Sequence, residues 1–119
     1  IQEKKTSLLI AFSTLSGGIL GNASTKDLKN LIDIGLLLGR IFQTQDDILD
    51  LEGTEEEMGK KVNKDQKLNK ATIIRLKDIS YAKKEVQDLC IDAKKKLTLI
   101  KKDTLNLSYL IDFLSYRTN

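Results

Sequence analysis

Residues 42–50 contain the side chains of this chain that are best suited to chemistry, three carboxylates and a neighbouring amide. On an α-helix, Asp50, Gln43 and Asp47 fall about 40°, 60° and 100° from Asp46 around the axis. The carboxylates of Asp46, Asp47 and Asp50, here called the acidic stripe, would repel one another by roughly 0.2–0.5 kcal/mol per pair. No Lys or Arg lies within four residues of them. Such oxygen ligands predict a Mg2+ site, because Mg2+ often shares its coordination between carboxylates and substrate phosphates.

The opposite side of the same helix is predicted to be core. Apolar side chains lie roughly 180–240° from Asp46, and a helix divided in this way buries its apolar side. An alternative is that the acidic stripe is only a solvated face. The preceding Phe42-Gln43 and the lysines on both sides favour a site, because magnesium and phosphate need cations as well as acids. The residues predicted to be buried are Ile34, Leu37, Ile41 and Ile48.

The helix that carries the acidic stripe is predicted to begin after Ser24, which has the spacing of a capping box. Gly53 and the charged residues behind it predict that the helix ends near Leu51, where the helix dipole disfavours negative charge. Gly35 and Gly39 lie inside the helix, and each costs about 1 kcal/mol relative to Ala. We therefore expect a close helix crossing or a kink at these glycines.

Three more helices are predicted around this one. Apolar residues repeat at helical spacing from Leu8 to Leu15 and stop at Gly17, which places Lys5 and Thr6 in the first turns of a first helix. A capping-box spacing at residues 54–57 predicts a short turn ended by residue 59, with a lysine-rich loop from residue 60 to residue 70. Steps of three and four residues from 82 to 100 and from 107 to 114 predict the last two helices. Tyr109 and Tyr116 are expected to pack, and Lys94–Lys96 and Lys101-Lys102 are expected to be solvated.

Composition favours an all-α protein, an antiparallel helix bundle formed by residues 1–119 as a single domain or fragment. The chain is 40% hydrophobic and 31% charged, and it has no Pro that would interrupt a helix. Its apolar runs are far shorter than the roughly 18 residues of a membrane span. A net charge of only +3, spread along the chain, gives little support for anionic small ligands and hardly any for a nucleic-acid partner, so no nucleic-acid partner is predicted. Cys90 is the only cysteine, which favours a reducing compartment such as the cytoplasm, although organellar targeting is not excluded.

Residues 42–50 resemble the second aspartate-rich motif, Phe-Gln-x-x-Asp-Asp-x-x-Asp, of the trans-type isoprenyl diphosphate synthases. This family includes the farnesyl and geranylgeranyl diphosphate synthases. Lys5-Thr6 is similar to the start of the family's Lys-Thr-Gly segment. Gly59-Lys60 and Asp65 through Lys70-Ala71-Thr72 are similar to two further family elements, in the family's order. The fold implied by the resemblance is the C-terminal part of an isoprenoid synthase-type helical fold.

The resemblance implies a prenyltransferase of isoprenoid biosynthesis that condenses isopentenyl diphosphate with an allylic diphosphate. It implies Mg2+ as the cofactor, with Mn2+ as an alternative, and a homodimer or larger assembly. No side chain resembles a strong general base, so the pyrophosphate itself would accept the proton. The implied roles are metal binding by Asp46, Asp47 and Asp50, substrate binding by Lys5, Thr6, Gln43, Lys60 and Lys70, and catalysis by Lys5, Thr6 and Lys60.

Two of the departures from the family's pattern bear most on the predicted function. Ser7 stands where the family usually has Gly, and its side chain is expected to crowd the backbone beside the substrate. The family's first aspartate-rich motif, which precedes the Lys-Thr segment, has no counterpart here, so we expect the C-terminal portion of an enzyme that is inactive alone. Helices that pack on the rest of the enzyme would expose apolar faces and favour self-association. An alternative is a non-catalytic regulatory subunit related to prenyl synthases, although such a subunit has no need of an acidic stripe.

Overall fold

The computed structural model describes the backbone of residues 2–62, 69–100 and 102–116, and the side chains of residues 5–53, 76–100 and 102–116. Within these ranges the chain folds into four α-helices. The all-α prediction is confirmed, and none of the described helices is long and apolar enough to cross a membrane. The helices are α1 (Gln2–Leu20), α2 (Thr25–Val62), α3 (Asn69–Thr98) and α4 (Leu105–Tyr116).

Asn22 ends α1 by adopting the left-handed conformation, with φ 58°, which Asn tolerates better than most residues. The backbone N–H of Ala23 donates to the carbonyl of Gly18 at 2.9 Å, and that of Asn22 donates to the carbonyl of Ile19 at 3.1 Å. These two bonds form a Schellman motif and satisfy carbonyls at the helix end. α1 therefore continues to Leu20, past the glycine pair that predicts its end.

The prediction that α2 ends near Leu51 is wrong, because the helix continues through Gly53 to Val62. Beyond this glycine, two Glu residues each precede a Lys by four positions, a spacing that stabilises a helix. The turn predicted for residues 54–59 is thus part of α2. The acidic stripe lies about three turns from the helix end, so the helix dipole, which acts over the last turn, does not affect it.

The two helices that carry the predicted site run antiparallel and contact each other through their backbones. Ser7 lies opposite Gly39, and Ala11 lies opposite Gly35. A β-carbon added at Gly39 would lie 2.5 Å from the Cα of Ser7, and one added at Gly35 would lie 2.5 Å from the Cα of Ala11. The close crossing predicted from the glycines is confirmed. These four residues are called the α1–α2 seam below.

Ser24 caps α2 as predicted, since its Oγ accepts a hydrogen bond from the backbone N–H of Asp27 at 3.1 Å. An unprotected N-terminal N–H group would otherwise need another partner. The cap fixes where α2 begins, so only the four residues 21–24 connect α1 to α2. This short connection favours an antiparallel arrangement of the two helices.

The lysine cluster of α3 is paired with acids as well as solvated, which corrects the prediction of a purely solvated face. Lys94 lies 2.5 Å from Asp112 of α4, and Lys96 lies 3.9 Å from Asp33 of α2. The Nζ of Lys102 donates to the backbone carbonyl at position 21 at 3.1 Å, which links the α3–α4 loop to the end of α1. Residue 101 lies outside the described residues.

The core forms along one side of α2, where α3 and α4 pack. The four α2 residues predicted to be buried are at most 8% exposed, and burying such side chains contributes roughly 1.5–3 kcal/mol each. From α3 and α4 the apolar residues at helical spacing join them, as predicted. The core residues are Ile34, Leu37, Leu38, Ile41 and Ile48 of α2, Val86, Leu89, Ala93 and Leu97 of α3, and Ile111 and Leu114 of α4.

The prediction that Tyr109 and Tyr116 pack is wrong, since they are 61% and 81% exposed. α4 turns Ile111 and Leu114 toward the core, and the two tyrosines lie on its other side. Phe113 on that side is 64% exposed as well. The outer side of α4 is therefore an apolar and aromatic surface without a partner among the described residues.

Helical glycines inside and outside the α1–α2 seam allow a direct test of this close contact. We expect Gly35→Ala to lower the free energy of unfolding by about 1–3 kcal/mol, because the added methyl group meets the α1 backbone. Gly17 is the matched control, because a β-carbon there would have no heavy atom within 4 Å. Gly17→Ala should raise the free energy of unfolding by about 0.5–1 kcal/mol. Urea unfolding followed by circular dichroism measures both, and a Gly35→Ala chain as stable as Gly17→Ala would disprove the close crossing.

Candidate functional site

The acidic stripe lies on the side of α2 that faces away from the core. α2 is helical throughout residues 43–50, so the carboxylates keep the angular positions that the sequence predicts. Ile48, on the opposite side, is 2% exposed. Asp46 is half-buried, and Asp47 and Asp50 are exposed. The three side chains therefore form an open ridge along the helix.

The first helix brings Thr6 to the head of this ridge. The side-chain amide of Gln43 donates from Nε2 to the Oγ1 of Thr6 at 3.3 Å, in a partly buried contact between α2 and α1. Gln43 lies one turn before Asp46 and Asp47 on α2. Lys5 precedes Thr6 and is exposed. The structure thus brings residues 5–6 next to residues 43–50. The two residues that form the hydrogen bond are 37 positions apart in the sequence.

The two remaining site lysines can be placed only by their backbone. Lys60 lies in the last turn of α2, and Lys70 lies in the first turn of α3. Lys60 follows Asp50 by ten residues, which is roughly 15 Å along a helix axis. Both side chains lie outside the described residues, so the predicted contacts of Lys60 and Lys70 with phosphate stay predictions.

The carboxylates of the acidic stripe suit a metal ion that is coordinated jointly by the protein and a bound ligand. Within the described residues, no group of three or more His, Cys, Asp or Glu side chains is arranged to hold a metal ion. Mg2+ seldom needs such a cage, because it keeps waters and is usually held by one or two carboxylates together with substrate phosphates. Carboxylates on an open ridge therefore fit Mg2+ bound with a diphosphate, and they fit a dedicated protein cage poorly.

Ser7 has a role that the sequence did not reveal. The sequence predicts that it crowds the backbone beside the substrate, and in the structure it is only 9% exposed and lies in the α1–α2 seam against the backbone of Gly39. The absence of a β-carbon at Gly39 provides the space that the Ser7 side chain occupies. The signal in the sequence is the pairing of a small residue next to Lys5-Thr6 with a glycine one turn before Gln43.

Comparisons with known proteins find similarity along the whole length of this chain. The model of the family described as polyprenyl synthetase matches residues 1–107. The farnesyl diphosphate synthase of Geobacillus stearothermophilus is 33% identical over 117 residues, which cover 98% of this chain and 39% of that protein. The geranylgeranyl diphosphate synthase of Cyanophora paradoxa is 32% identical over 119 residues, covering 100% and 40%.

A plant relative has a similar sequence identity, again along the whole length of this chain. The chloroplastic geranylgeranyl pyrophosphate synthase of Capsicum annuum is 32% identical over 120 residues, which cover 100% of this chain and 32% of that protein. The chain therefore spans between 32% and 40% of the length of these curated relatives.

A separate groove of about 580 Å3 lies between α2, α3 and α4, and none of the described site residues lines it. Cys90 lies in this groove as a free, half-buried thiol. Burial raises the pKa of Cys90 above its usual value near 9.0, and the hydrogen bond with Ser115 and the charge of Lys94 lower it only in part. The thiolate is the reactive form, so Cys90 is a poor nucleophile near neutral pH.

The raised pKa of Cys90 predicts how the thiol reacts with pH. In the folded chain, alkylation by iodoacetamide should reach half its maximal rate at a higher pH than in the urea-unfolded chain, because burial disfavours the thiolate. By linkage, this group stabilises the fold below its unfolded pKa, and that contribution declines as pH rises through the folded value. Cys90→Ser should abolish the labelling. A folded chain that is labelled at the same pH as the unfolded chain would contradict the burial of the thiol.

Proposed function

Because this chain belongs to the polyprenyl synthetase family, we propose that it forms the diphosphate-binding side of a prenyltransferase that joins isopentenyl diphosphate to an allylic diphosphate. The observation that carries this proposal is the 3.3 Å contact between Gln43 and Thr6 at the head of the acidic stripe. Two helices thereby offer a hydroxyl, an amide and three carboxylates around one stretch of α2. This combination supports binding of a diphosphate together with a divalent cation.

The carboxylates of the acidic stripe would hold Mg2+ directly or through water, with Mn2+ as the alternative. When bound, the metal neutralises negative charge on the diphosphate as it leaves the allylic carbon. The role of the protein in this step is to supply oxygen ligands at fixed positions on a rigid helix, leaving coordination sites for water and phosphate oxygens. The metal ligands in this proposal are Asp46, Asp47 and Asp50.

The lysines would supply positive charge for the departing pyrophosphate. Lys5 is exposed at the start of α1, and an ammonium group binds phosphate oxygens with little directional demand. Lys60 and Lys70 would add charge from the far end of α2 and the start of α3. Positive groups placed before reaction stabilise the charge that develops on the leaving group without reorganising.

Thr6 and Gln43 would line the site beside the reacting allylic carbon and orient the substrate. Their mutual hydrogen bond restricts the rotamers of both side chains, so less conformational entropy is lost when a ligand binds. Neither group is a strong acid or base near neutral pH. Their proposed role is therefore to position the diphosphate, while the released pyrophosphate accepts the proton.

The complete activity requires more protein than these residues. The chain spans at most 40% of the length of the three relatives described above, and α1 exposes Leu8, Leu9 and Phe12 by 55%, 67% and 66%. Exposed apolar surface of this extent is typical of an interface. We propose that the remaining part of the fold covers this side of α1, and that the assembled enzyme is a homodimer or larger. The lone Cys90 favours the cytoplasm as its compartment.

The same exposed surface would suit a non-catalytic helical subunit that binds a prenyl synthase. Two observations favour the catalytic role over this alternative. The three carboxylates lie on one side of α2, where like charges repel, and the Gln43–Thr6 hydrogen bond lies beside them. A subunit with a purely structural role gains nothing from this arrangement.

Calorimetry tests the proposed binding of a metal diphosphate. Titration of the chain with pyrophosphate should show saturable binding when Mg2+ is present and much weaker binding without it. Asp46→Ala should weaken the binding at least about tenfold, which corresponds to about 1.4 kcal/mol, because one oxygen ligand is lost.

Asp88→Ala is the matched control, since it removes an exposed carboxylate on α3 and changes the net charge by the same amount. Its affinity should equal that of the unchanged chain. Equal weakening by both substitutions would show that only net charge matters. Absence of magnesium-dependent binding to the unchanged chain would refute the proposed function.

The isolated chain should not elongate a prenyl diphosphate, because it contains only part of the proposed site. Incubation with Mg2+, labelled isopentenyl diphosphate and either dimethylallyl or geranyl diphosphate should give no longer product by thin-layer chromatography. A longer product from the purified chain would show that these 119 residues are sufficient for catalysis.

A further inference from the structure

The distance between α1 and α2 is set by close contact at three successive levels. Two levels are the pairs of the α1–α2 seam, Ser7 with Gly39 and Ala11 with Gly35. At the third level, the Oγ1 of Thr14 donates to the carbonyl of residue 31 at 2.7 Å, across the two helices. Because no long side chain separates the backbones at these levels, changing rotamers can adjust the helix spacing very little.

Gly39 belongs to the level nearest the candidate site. It lies one turn before Gln43 on α2, and its partner Ser7 directly follows Thr6 on α1. A β-carbon at Gly39 would lie 2.5 Å from the Cα and 2.8 Å from the Cβ of Ser7. The first of these contacts is with backbone, so a methyl group at this position would force the helices apart beside the Gln43–Thr6 hydrogen bond.

We infer that Gly39 is a positioning residue for the diphosphate site: by allowing Ser7 to pack against the backbone of α2, it holds Thr6 within hydrogen-bond distance of Gln43. The inference rests on the proposed function and extends it to a residue that cannot touch the ligand through a side chain. A hydrogen bond loses much of its strength when its atoms separate beyond ordinary bonding distance. The Gln43–Thr6 contact, at 3.3 Å, is already near that limit, so a small increase in helix spacing would break it.

The side-chain amide resonance of Gln43 in 15N-labelled chain reports on this hydrogen bond directly. The spectrum is recorded without Mg2+ or pyrophosphate, so its outcome does not depend on the proposed function. Gln43→Ala identifies the resonance, and Thr6→Val, which removes the hydroxyl but keeps the side-chain shape, gives the position for the broken bond. We expect Gly39→Ala to move the resonance to the Thr6→Val position. An unshifted resonance in folded Gly39→Ala would overturn the inference.

Two controls separate positioning from general loosening of the fold. Gly53→Ala adds a methyl group to α2 where a β-carbon would have no heavy atom within 4 Å, and it should leave the resonance unchanged. Gly35→Ala adds a methyl group to the same seam one turn farther from Gln43, and it should shift the Gln43 resonance less than Gly39→Ala does. Equal shifts from the two seam glycines would contradict a specific role for Gly39.

A second variant keeps the test valid if Gly39→Ala does not fold. Combining Gly39→Ala with Ser7→Gly removes the 2.8 Å contact with the Ser7 Cβ but retains the contact with the Cα. The double variant should therefore fold better and still shift the Gln43 resonance. A folded double variant with an unshifted resonance would equally overturn the inference.

Ligand binding then connects the geometry to the site. In calorimetry with Mg2+ and pyrophosphate, Gly39→Ala should weaken binding about tenfold and more than Gly35→Ala does. If the unchanged chain shows no binding, the proposed function fails, but the resonance shift still decides whether Gly39 sets the Thr6–Gln43 distance. If Gly39→Ala shifts the resonance and binds with unchanged affinity, its role is structural and the inference is wrong.

Discussion

The candidate site depends on the direct contact between the backbones of α1 and α2. Helices that meet through ordinary side chains pack with axes about 8–10 Å apart. Here a β-carbon at Gly35 or Gly39 would come within 2.5 Å of an α-carbon of α1, so no large side chain fits between the helices. This close approach brings Thr6 of α1 to Gln43 of α2. Without it, the acidic stripe would be a row of carboxylates on a single helix.

Much of the arrangement could be predicted from α2 alone, because a helix fixes the angular order of its side chains. The four buried apolar residues Ile34, Leu37, Ile41 and Ile48, the stripe opposite them and the cap at Ser24 are all local consequences of the sequence of one helix. The segment of α1 that lies beside the acidic stripe could not be predicted in this way. The large apolar residues Leu8 and Phe12 are 55% and 66% exposed, whereas the residues that meet α2 are Ser7 and Ala11. The helical spacing of large apolar residues therefore identifies the exposed side of α1. The side of α1 that packs on α2 is indicated only by the glycines of α2.

The remaining wrong predictions share a physical cause, since each concerns a local signal that depends on its surroundings. Gly53 does not end α2, because the helix formers that follow it outweigh the cost of one glycine. Tyr109 and Tyr116 do not pack, because α4 is apolar on two sides and the described residues provide a partner for only one of them. A helix that is apolar all round is ordinarily buried. In a chain that spans at most 40% of the length of three relatives, such surfaces support the proposal that further protein completes the enzyme.

The central claim is that the crossing of α1 and α2 creates one surface that binds a magnesium diphosphate. Mapping of backbone amide shifts by nuclear magnetic resonance, during titration of the chain with Mg2+ and pyrophosphate, tests it most directly. We predict that amides of residues 5–6 and 43–50 shift together along a single saturation curve, although Thr6 and Gln43 are 37 positions apart in the sequence. Saturable shifts confined to the groove around Cys90, or shifts on α2 without any on α1, would contradict it.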